Sequence, residues 1–243
     1  MIQVTAAKIR GYGPWTLTLG HDREHRLQTL QASLYAEAQR LFSERDCLVF
    51  PNRHDEYVIV SNGLDEDGHR RIRDELKERF GVGLQMHMGR GTTPAAADHA
   101  AHRARVKDVH VLGEAGGDDV TILHMDVNDL TSRARDVPPY GVSVLMLELH
   151  LMMARHFAAL QSLSFFMGGD NFMVLAGEEG RKGVRAFLDA VAGDLGLYLN
   201  CGIGRASTGR GAAMRATRSL DTIREIREAG SGPKPDIYEA DCC

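Results

Sequence analysis

Apolar and polar positions change their period from one stretch of the chain to the next, and the changes predict an order of elements. Residues 2–9 read as a first strand, ended by Gly11-Tyr12-Gly13-Pro14. Leu27, Leu30, Leu34, Leu41 and Phe42 recur at helical spacing, so 24–43 is predicted to be an amphipathic helix laid on a sheet. Short apolar runs at 47–51 and 56–61 predict a strand pair. A charged stretch at 66–79 predicts a helix, and 82–88 a strand running into Gly89-Arg90-Gly91. Pro94, pre-organised for a first helical turn, opens an Ala-rich helix over 94–105. Strand-helix-strand-strand-helix-strand with an added helix is the ferredoxin-like, split βαβ order: an antiparallel sheet with helices on one face.

After a Gly- and acid-rich linker at 106–120 the series begins again. A strand is predicted at 121–127, a helix at 140–158, a hairpin within 163–175, a helix at 181–195, a strand at 197–203, a helix at 211–229 and a short strand near 236–239. Subtracting 115 from residue numbers in this half puts Phe157 on Phe42, Asp170 on Asp55, Gly204-Arg205 on Gly89-Arg90, and Asp126 on Gly11. A repeat of this length is the size of a small domain. The expected fold is therefore α+β: two tandem ferredoxin-like βαββαβ domains, residues 1–105 and 121–243, facing each other as a pseudo-dimer. The helix at 140–158 is apolar almost all round through 144–153, so it should be buried between its sheet and a partner surface.

Composition narrows the function classes. With 243 residues, 43% of them hydrophobic, the chain can fill two ordinary cores. A net charge of −4 and a pI near 6.3 give no basic footprint for nucleic acid or a membrane surface. No stretch is read as a transmembrane helix, and the N-terminus lacks a signal-peptide apolar segment. Cys47, Cys201, Cys242 and Cys243 have no metal-ligand spacing and suit a reducing, cytoplasmic setting.

The candidate chemistry gathers around 163–175, where apolar runs flank Gly168-Gly169-Asp170-Asn171. Glycines at a hairpin tip supply positive φ and let a ligand approach the backbone. In the predicted strand order the first and third strands of the unit are neighbours, so Asp126 at a strand end and Asp170 at the hairpin tip should come close. Two carboxylates there repel unless a cation joins them, and magnesium suits hard oxygen ligands shared with phosphates. Backbone amides from Val127 to Thr131 would point at those phosphates. The plainer alternative is a pair of unrelated turn aspartates. Because the first half keeps Asp55 but lacks the second acid, only the second half can hold the metal pair. Asp55-Glu56 could instead accept from the N1–H and 2-amino group of guanine, the other reading being two surface acids.

These residues resemble a known family. Gly-Gly-Asp-Asn-Phe at 168–172 with Asp126 is similar to the palm domains of GGDEF-type and class III nucleotidyl cyclases, which carry a two-aspartate, two-metal site. More closely, Met1-Ile-Gln-Val-Thr5, Tyr12-Gly-Pro-Trp-Thr16, Leu27-Gln-x-Leu-Gln-x-x-Leu-Tyr-Ala36, Ser61-Asn-Gly-Leu64, Asp126-Val-Asn-Asp-Leu-Thr131, Phe165-Phe-x-Gly-Gly-Asp-Asn-Phe172 and Gly202-Ile-Gly-Arg205 resemble the archaeal-type GTP cyclohydrolase III family, over nearly the whole chain. The resemblance implies a magnesium-dependent enzyme that opens the imidazole ring of GTP at C8, keeps the formyl group and releases two phosphates. It implies Asp126 and Asp170 as ligands of two-metal magnesium chemistry, manganese being the alternative ion, with the Val127 carbonyl as a third ligand and Asp129 nearby. Asn128, Leu130 and Thr131, with the Gly168-Gly169 turn and Asn171, would cradle the nucleotide, while Asp55, Glu56, Gly11 and Tyr12 would face the guanine.

The departures fall on the base-facing side. Arg10-Gly11 stands where the family carries Asp-Asn, and His54-Asp55-Glu56 where it carries Phe-Asp-Asn. Glu56 cannot donate to O6 while ionised, whereas Arg10 could. His54 and His124 flank the proposed cleft and are the candidate acid or base for attack at C8. The expected partner is GTP or a related purine nucleoside triphosphate, and self-association is expected as in related palm proteins. The alternatives are a purine nucleotidyl cyclase or dinucleotide synthase, and a non-catalytic purine-nucleotide sensor.

Overall fold

Alternation along each strand decides which helix its side chains meet. In a computed structural model describing residues 1–107, 119–130, 135–230 and 235–240, the first series is β1 (Ile2–Ile9), α1 (Tyr12–Leu17), α2 (Glu24–Ser43), β2 (Leu48–Arg53), β3 (Glu56–Val60), α3 (Glu66–Phe80), β4 (Leu84–Gly91) and α4 (Pro94–Lys107). The second is β5 (Val120–Val127), α5 (Pro139–Ala159), β6 (Leu163–Gly168), β7 (Asn171–Ala176), α6 (Glu178–Lys182), α7 (Val184–Leu195), β8 (Leu199–Ala206), α8 (Gly209–Glu228) and β9 (Ile237–Glu239). The helix expected at 181–195 is thus two helices meeting at Gly183, where a side chain would run into Leu160. The chain divides into two compact units, the first ending with α4 and the second beginning at β5 but also taking residues 93–95.

Unit 1 carries the sheet β2-β3-β1-β4 and unit 2 the sheet β6-β7-β5-β8-β9, antiparallel throughout except for β9, which runs parallel to β8. In unit 1 Ala7, Ile9, Val49, Tyr57 and Ile59 pack on Leu34, Leu41 and Phe42 of α2 and on Ile72 and Leu76 of α3. In unit 2 Leu123, Met125, Val127, Phe172 and Val174 pack on Leu149, Met153 and Phe157 of α5 and on Phe187 and Val191 of α7.

The expectation of helices on one face only is corrected. Helices α4 and α8 cover the opposite faces, and small residues are what let them settle there. A side chain at Gly89 would collide with the backbone of α4 at Ala97 and Ala101, and one at Gly204 with the backbone of α8 at Ala212 and Ala216. Ala97, Ala100, Ala101 and Ala104 of α4, and Ala212 and Ala216 of α8, are buried in return. Glycine against alanine brings helix and strand backbones together, a packing that hydrophobic periodicity does not reveal.

Helix α5 differs from expectation in its composition. By length and composition it is apolar enough to cross a membrane, with mean hydropathy 1.2. It nevertheless packs on the sheet of its own unit through Met146, Leu149, Met153 and Phe157. Its other side leaves Tyr140, Val144, Leu147 and Leu151 exposed.

Ladder register fixes how the two units correspond. Val4 pairs with Val60 and Gly89, while Ile122 pairs with Leu175 and Gly204, residues that lie 115 beyond Val60 and Gly89. Val4 therefore answers Ile122, an offset of 118, and Asp126 answers Lys8. The expected match of Asp126 with Gly11 is wrong. Gly11 answers Asp129 instead, and both have positive φ, at 62° and 58°. The connection holding α1 is three residues longer than its counterpart before α5, which accounts for the shift.

Candidate active site

The hairpin between β6 and β7 turns on Gly168 and Gly169, whose φ of 99° and 64° only glycine adopts at low cost. Strand β7 then opens with Asn171, the cross-strand partner of Asp126 on β5. The Asn171 amide donates through Nδ2 to Asp170 Oδ1 at 2.9 Å, and its Oδ1 lies 3.3 Å from His124 Nε2. Asp126, Asp170, Asn171 and His124 consequently share the side of the sheet covered by α8. Asp126 itself, 5% exposed, accepts from Asn200 Nδ2 at 2.9 Å and pairs with Arg224 Nη2 at 2.5 Å. Asn200 and Arg224 lie 74 and 98 residues away in sequence and were not anticipated.

His124 is locked in one role by its neighbours. Since Asn171 turns its amide nitrogen to Asp170, its oxygen must accept from His124 Nε2–H. That leaves His124 Nδ1 as the acceptor for the Thr217 hydroxyl at 3.0 Å. Burial lowers the His124 pKa against the opposing pull of the Asn171 contact and Asp126, favouring the neutral ring. With both nitrogens engaged, His124 positions Asn171, and through it Asp170.

Beyond Asp126 the chain turns sharply. Val127 sends its side chain into the core, Leu130 packs against the same core, and Asp129 is exposed. The Asn128 amide donates to the Tyr198 carbonyl at 2.7 Å, so it is not among the phosphate-facing donors the sequence suggested; its side-chain oxygen accepts from Arg227 at 2.9 Å. Thr131 lies outside the described residues.

The donor set fits a hard divalent cation. Asp126, Asp170 and the Val127 carbonyl would offer oxygen atoms of the kind magnesium takes. Beside Asp126 the Asn200 Oδ1 is buried without a hydrogen-bond partner, an oxygen left over in a site otherwise satisfied. Arg224 meets the Asp126 charge, so an ion there would have to displace that guanidinium. Among the described residues, no three His, Cys, Asp or Glu side chains assemble as a ready-made metal cluster.

The corresponding place in unit 1 has the opposite character. Lys8 Nζ stands 3.8 Å from Asp55 Oδ2, Arg53 lies 3.6 Å from the other Asp55 oxygen, and Arg53 also pairs with Glu56. A lysine thus occupies the position that holds Asp126 in unit 2. Glu56 lines a cavity of about 250 Å³ with Asp98, His102 and Arg105, a space left open because Ala6 stands where unit 2 has His124. Arg10 is exposed and its amide donates to the Gly83 carbonyl at 2.8 Å. Gly11 precedes α1, and Tyr12 and His54 line a cleft beside α2.

Two of the motif segments named above are structural. Gln3 donates to the Ser61 carbonyl at 2.7 Å and to the Leu64 carbonyl at 2.8 Å, its backbone amide donates to Asn62 Oδ1 at 2.9 Å, and Arg90 donates to its side-chain oxygen at 2.8 Å. Thr5 contacts Ser61 at 2.8 Å and His69 at 2.7 Å, completing a buried polar network.

Fold and site together define a duplicated split-βαβ protein with an acid-bearing hairpin beside a strand-end aspartate in one copy and a lysine-neutralised hairpin in the other. The sequence matches the GTP cyclohydrolase III family over residues 2–233, and the chain belongs to that family. Similar proteins include the GTP cyclohydrolase III of Methanosphaera stadtmanae, 33% identical over 92% of this chain and 93% of that protein, and that of Methanothermobacter thermautotrophicus, 34% identical over 92% and 95%. Among solved structures, a bacterial light-regulated adenylyl cyclase aligns with a TM-score of 0.42 and 11% identity, over 93% of this chain and 83% of that one.

Proposed function

We propose that the protein opens the imidazole ring of GTP by adding water at C8, retains the formyl group and releases two phosphates. The product is 2-amino-5-formylamino-6-ribosylamino-4(3H)-pyrimidinone 5′-monophosphate. The observation that carries this reading is the gathering of Asp126 and Asp170 around Asn171 on one side of the sheet, in a chain of the GTP cyclohydrolase III family. The similar proteins named above are GTP cyclohydrolases by name, which supports GTP as the substrate and hydrolysis as the reaction.

Asp126, Asp170 and the Val127 carbonyl would hold magnesium, or manganese in its place. Bound there, the ion would supply charge neutralisation for the triphosphate and an acidified water. Asn171 orients the Asp170 carboxylate and is itself fixed by His124. Arg224 and Arg227 bring guanidinium groups to the same end of the sheet, a charge arrangement suited to phosphate oxygens.

Incubation with GTP and magnesium, following free phosphate and the ultraviolet spectrum, tests the reading. Loss of the purine chromophore together with two phosphates per nucleotide is the expected result. Phosphate release with the chromophore intact would contradict ring opening, and pyrophosphate release would mark a nucleotidyl cyclase instead.

A further inference from the structure

Both oxygens of the buried Asp126 carboxylate have protein donors. Oδ1 accepts from Asn200 Nδ2 at 2.9 Å and Oδ2 from Arg224 Nη2 at 2.5 Å. The two donors are not alike. Asn200 is 2% exposed and faces Asp126 across the β5–β8 ladder, so the fold holds it in place. Arg224 reaches over from α8 on a long, half-exposed side chain, and its other terminal nitrogen, Nη1, donates to Asp221 Oδ1 at 3.0 Å. Asp221 lies one turn earlier on the same helix and is itself half exposed. The guanidinium thus bridges a buried carboxylate and a surface one, and can leave the first while keeping the second. A charged partner that withdraws without losing its own counter-ion is the one an incoming cation displaces at least cost.

We propose that Arg224 is a competing cation at the metal site: it holds Asp126 until a divalent ion takes its place, and on release its guanidinium turns to the phosphate oxygens of the nucleotide that arrives with the ion. The inference deepens the reading that Asp126 and Asp170 hold magnesium or manganese, and rests on it. A divalent ion and a guanidinium on one carboxylate repel each other, and at a buried aspartate little solvent screens them. A triphosphate relieves the conflict, because the guanidinium exchanges one anionic oxygen for another and its forked donors suit phosphate as well as carboxylate. Arg227, one turn further along α8, donates to Asn128 Oδ1 at 2.9 Å just beyond Asp126, so a second guanidinium stands at the same strand end. Whatever draws Arg224 away tightens the hold on the ion, and the ion in turn frees Arg224 for phosphate. Each ligand therefore favours the other by the same factor.

Manganese titration of the full chain, followed by electron paramagnetic resonance with no nucleotide present, tests the competition. Arg224→Gln removes the guanidinium and keeps a polar side chain. Its manganese affinity is expected to rise roughly tenfold over wild type, since the charge-assisted contact that the ion must break is gone. Without metal its thermal midpoint is expected to fall, because a buried carboxylate loses its partner, and the gain on adding manganese should exceed that of wild type. The KM for GTP at saturating manganese is expected to rise roughly tenfold, the phosphates having lost a charged donor. Tighter metal with weaker nucleotide is the signature, as damage to the fold would weaken both. Manganese affinity unchanged or lowered in Arg224→Gln would overturn the proposal, and an unchanged KM beside tighter metal would overturn the transfer to phosphate. Asp126→Asn separates this failure from that of the reading beneath it. If Asp126→Asn loses manganese while Arg224→Gln binds it as wild type does, the competition falls and the metal site stands; if Asp126→Asn binds manganese as well as wild type, the site itself falls.

Discussion

The two units share a frame and differ in the charge at one strand end. In unit 2 the residue there is Asp126, beside a hairpin bearing Asp170; in unit 1 it is Lys8, whose ammonium stands 3.8 Å from the hairpin acid Asp55. Around them other pairs diverge in step: His124 against Ala6, Asn171 against Glu56, Asn200 against Gln85. Duplication preserved the ladders, where one slip would turn every side chain to the wrong face, and left the strand ends free to specialise. In unit 2 the guanidinium of Arg224 meets Asp126, and a bound cation would have to displace it, whereas in unit 1 Lys8 and Arg53 meet Asp55 from the strand end and the hairpin themselves. On the reading proposed above, metal and phosphate fall to unit 2.

The largest effect should come from removing the acid that distinguishes unit 2. Asp126→Asn is expected to cut ring opening of GTP at least about a hundredfold, the size of loss when one electrostatic element of a site is removed. Initial rates would measure it, and near-wild-type turnover would erase the distinction between the units. Next comes the shared frame. Gly204→Val would drive a branched side chain into the backbone of α8 and should cost about 1–3 kcal/mol in urea unfolding, with Gly89→Val producing a similar loss through α4. Tolerance at either position would mean that close helix approach is not what holds that face.

The smallest effect concerns His124, which unit 1 lacks. Its pKa in the folded protein is lowered by burial, while the unfolded chain titrates near the ordinary value of about 6.5. Below that value the unfolded state binds a proton that the folded state refuses. The neutral ring therefore contributes full stability above about pH 6.5 and loses it as pH falls towards the depressed folded value. Thermal midpoints of wild type and His124→Gln should converge on acidification across that window. Parallel pH curves would show that the histidine is not held neutral.

Much of the frame was legible in the sequence because strands and helices of ordinary length carry clear periods. The helix at 24–43 and both strand pairs lie where periodicity put them, and the offset of 115 relates α2 to α5, the hairpin strands β2 and β3 to β6 and β7, β4 to β8 and the start of α4 to that of α8. The first strand was misaligned because a gapless shift cannot register the longer connection that holds α1. Helices α4 and α8 were recognised, but their side of the sheet was not. Alanine against glycine makes a buried face without the large apolar residues that advertise one. At the site, Asp126, Asp170, Asn171 and His124 were legible from the hairpin and its neighbouring strand. Asn200, Thr217 and Arg224 were not, since they arrive from β8 and α8, and a lone polar residue on a strand or helix gives no sign of what it will meet.

Divalent-ion stoichiometry, read by electron paramagnetic resonance during manganese titration, tests the charge inversion most directly. Asp126→Asn should lose manganese that the wild-type chain binds, and Lys8→Asp, which gives unit 1 the same acid pair, should bind one ion more than wild type. Wild-type binding that survives Asp126→Asn, together with no added ion in Lys8→Asp, would contradict the claim that this one strand-end position decides which unit takes the cation.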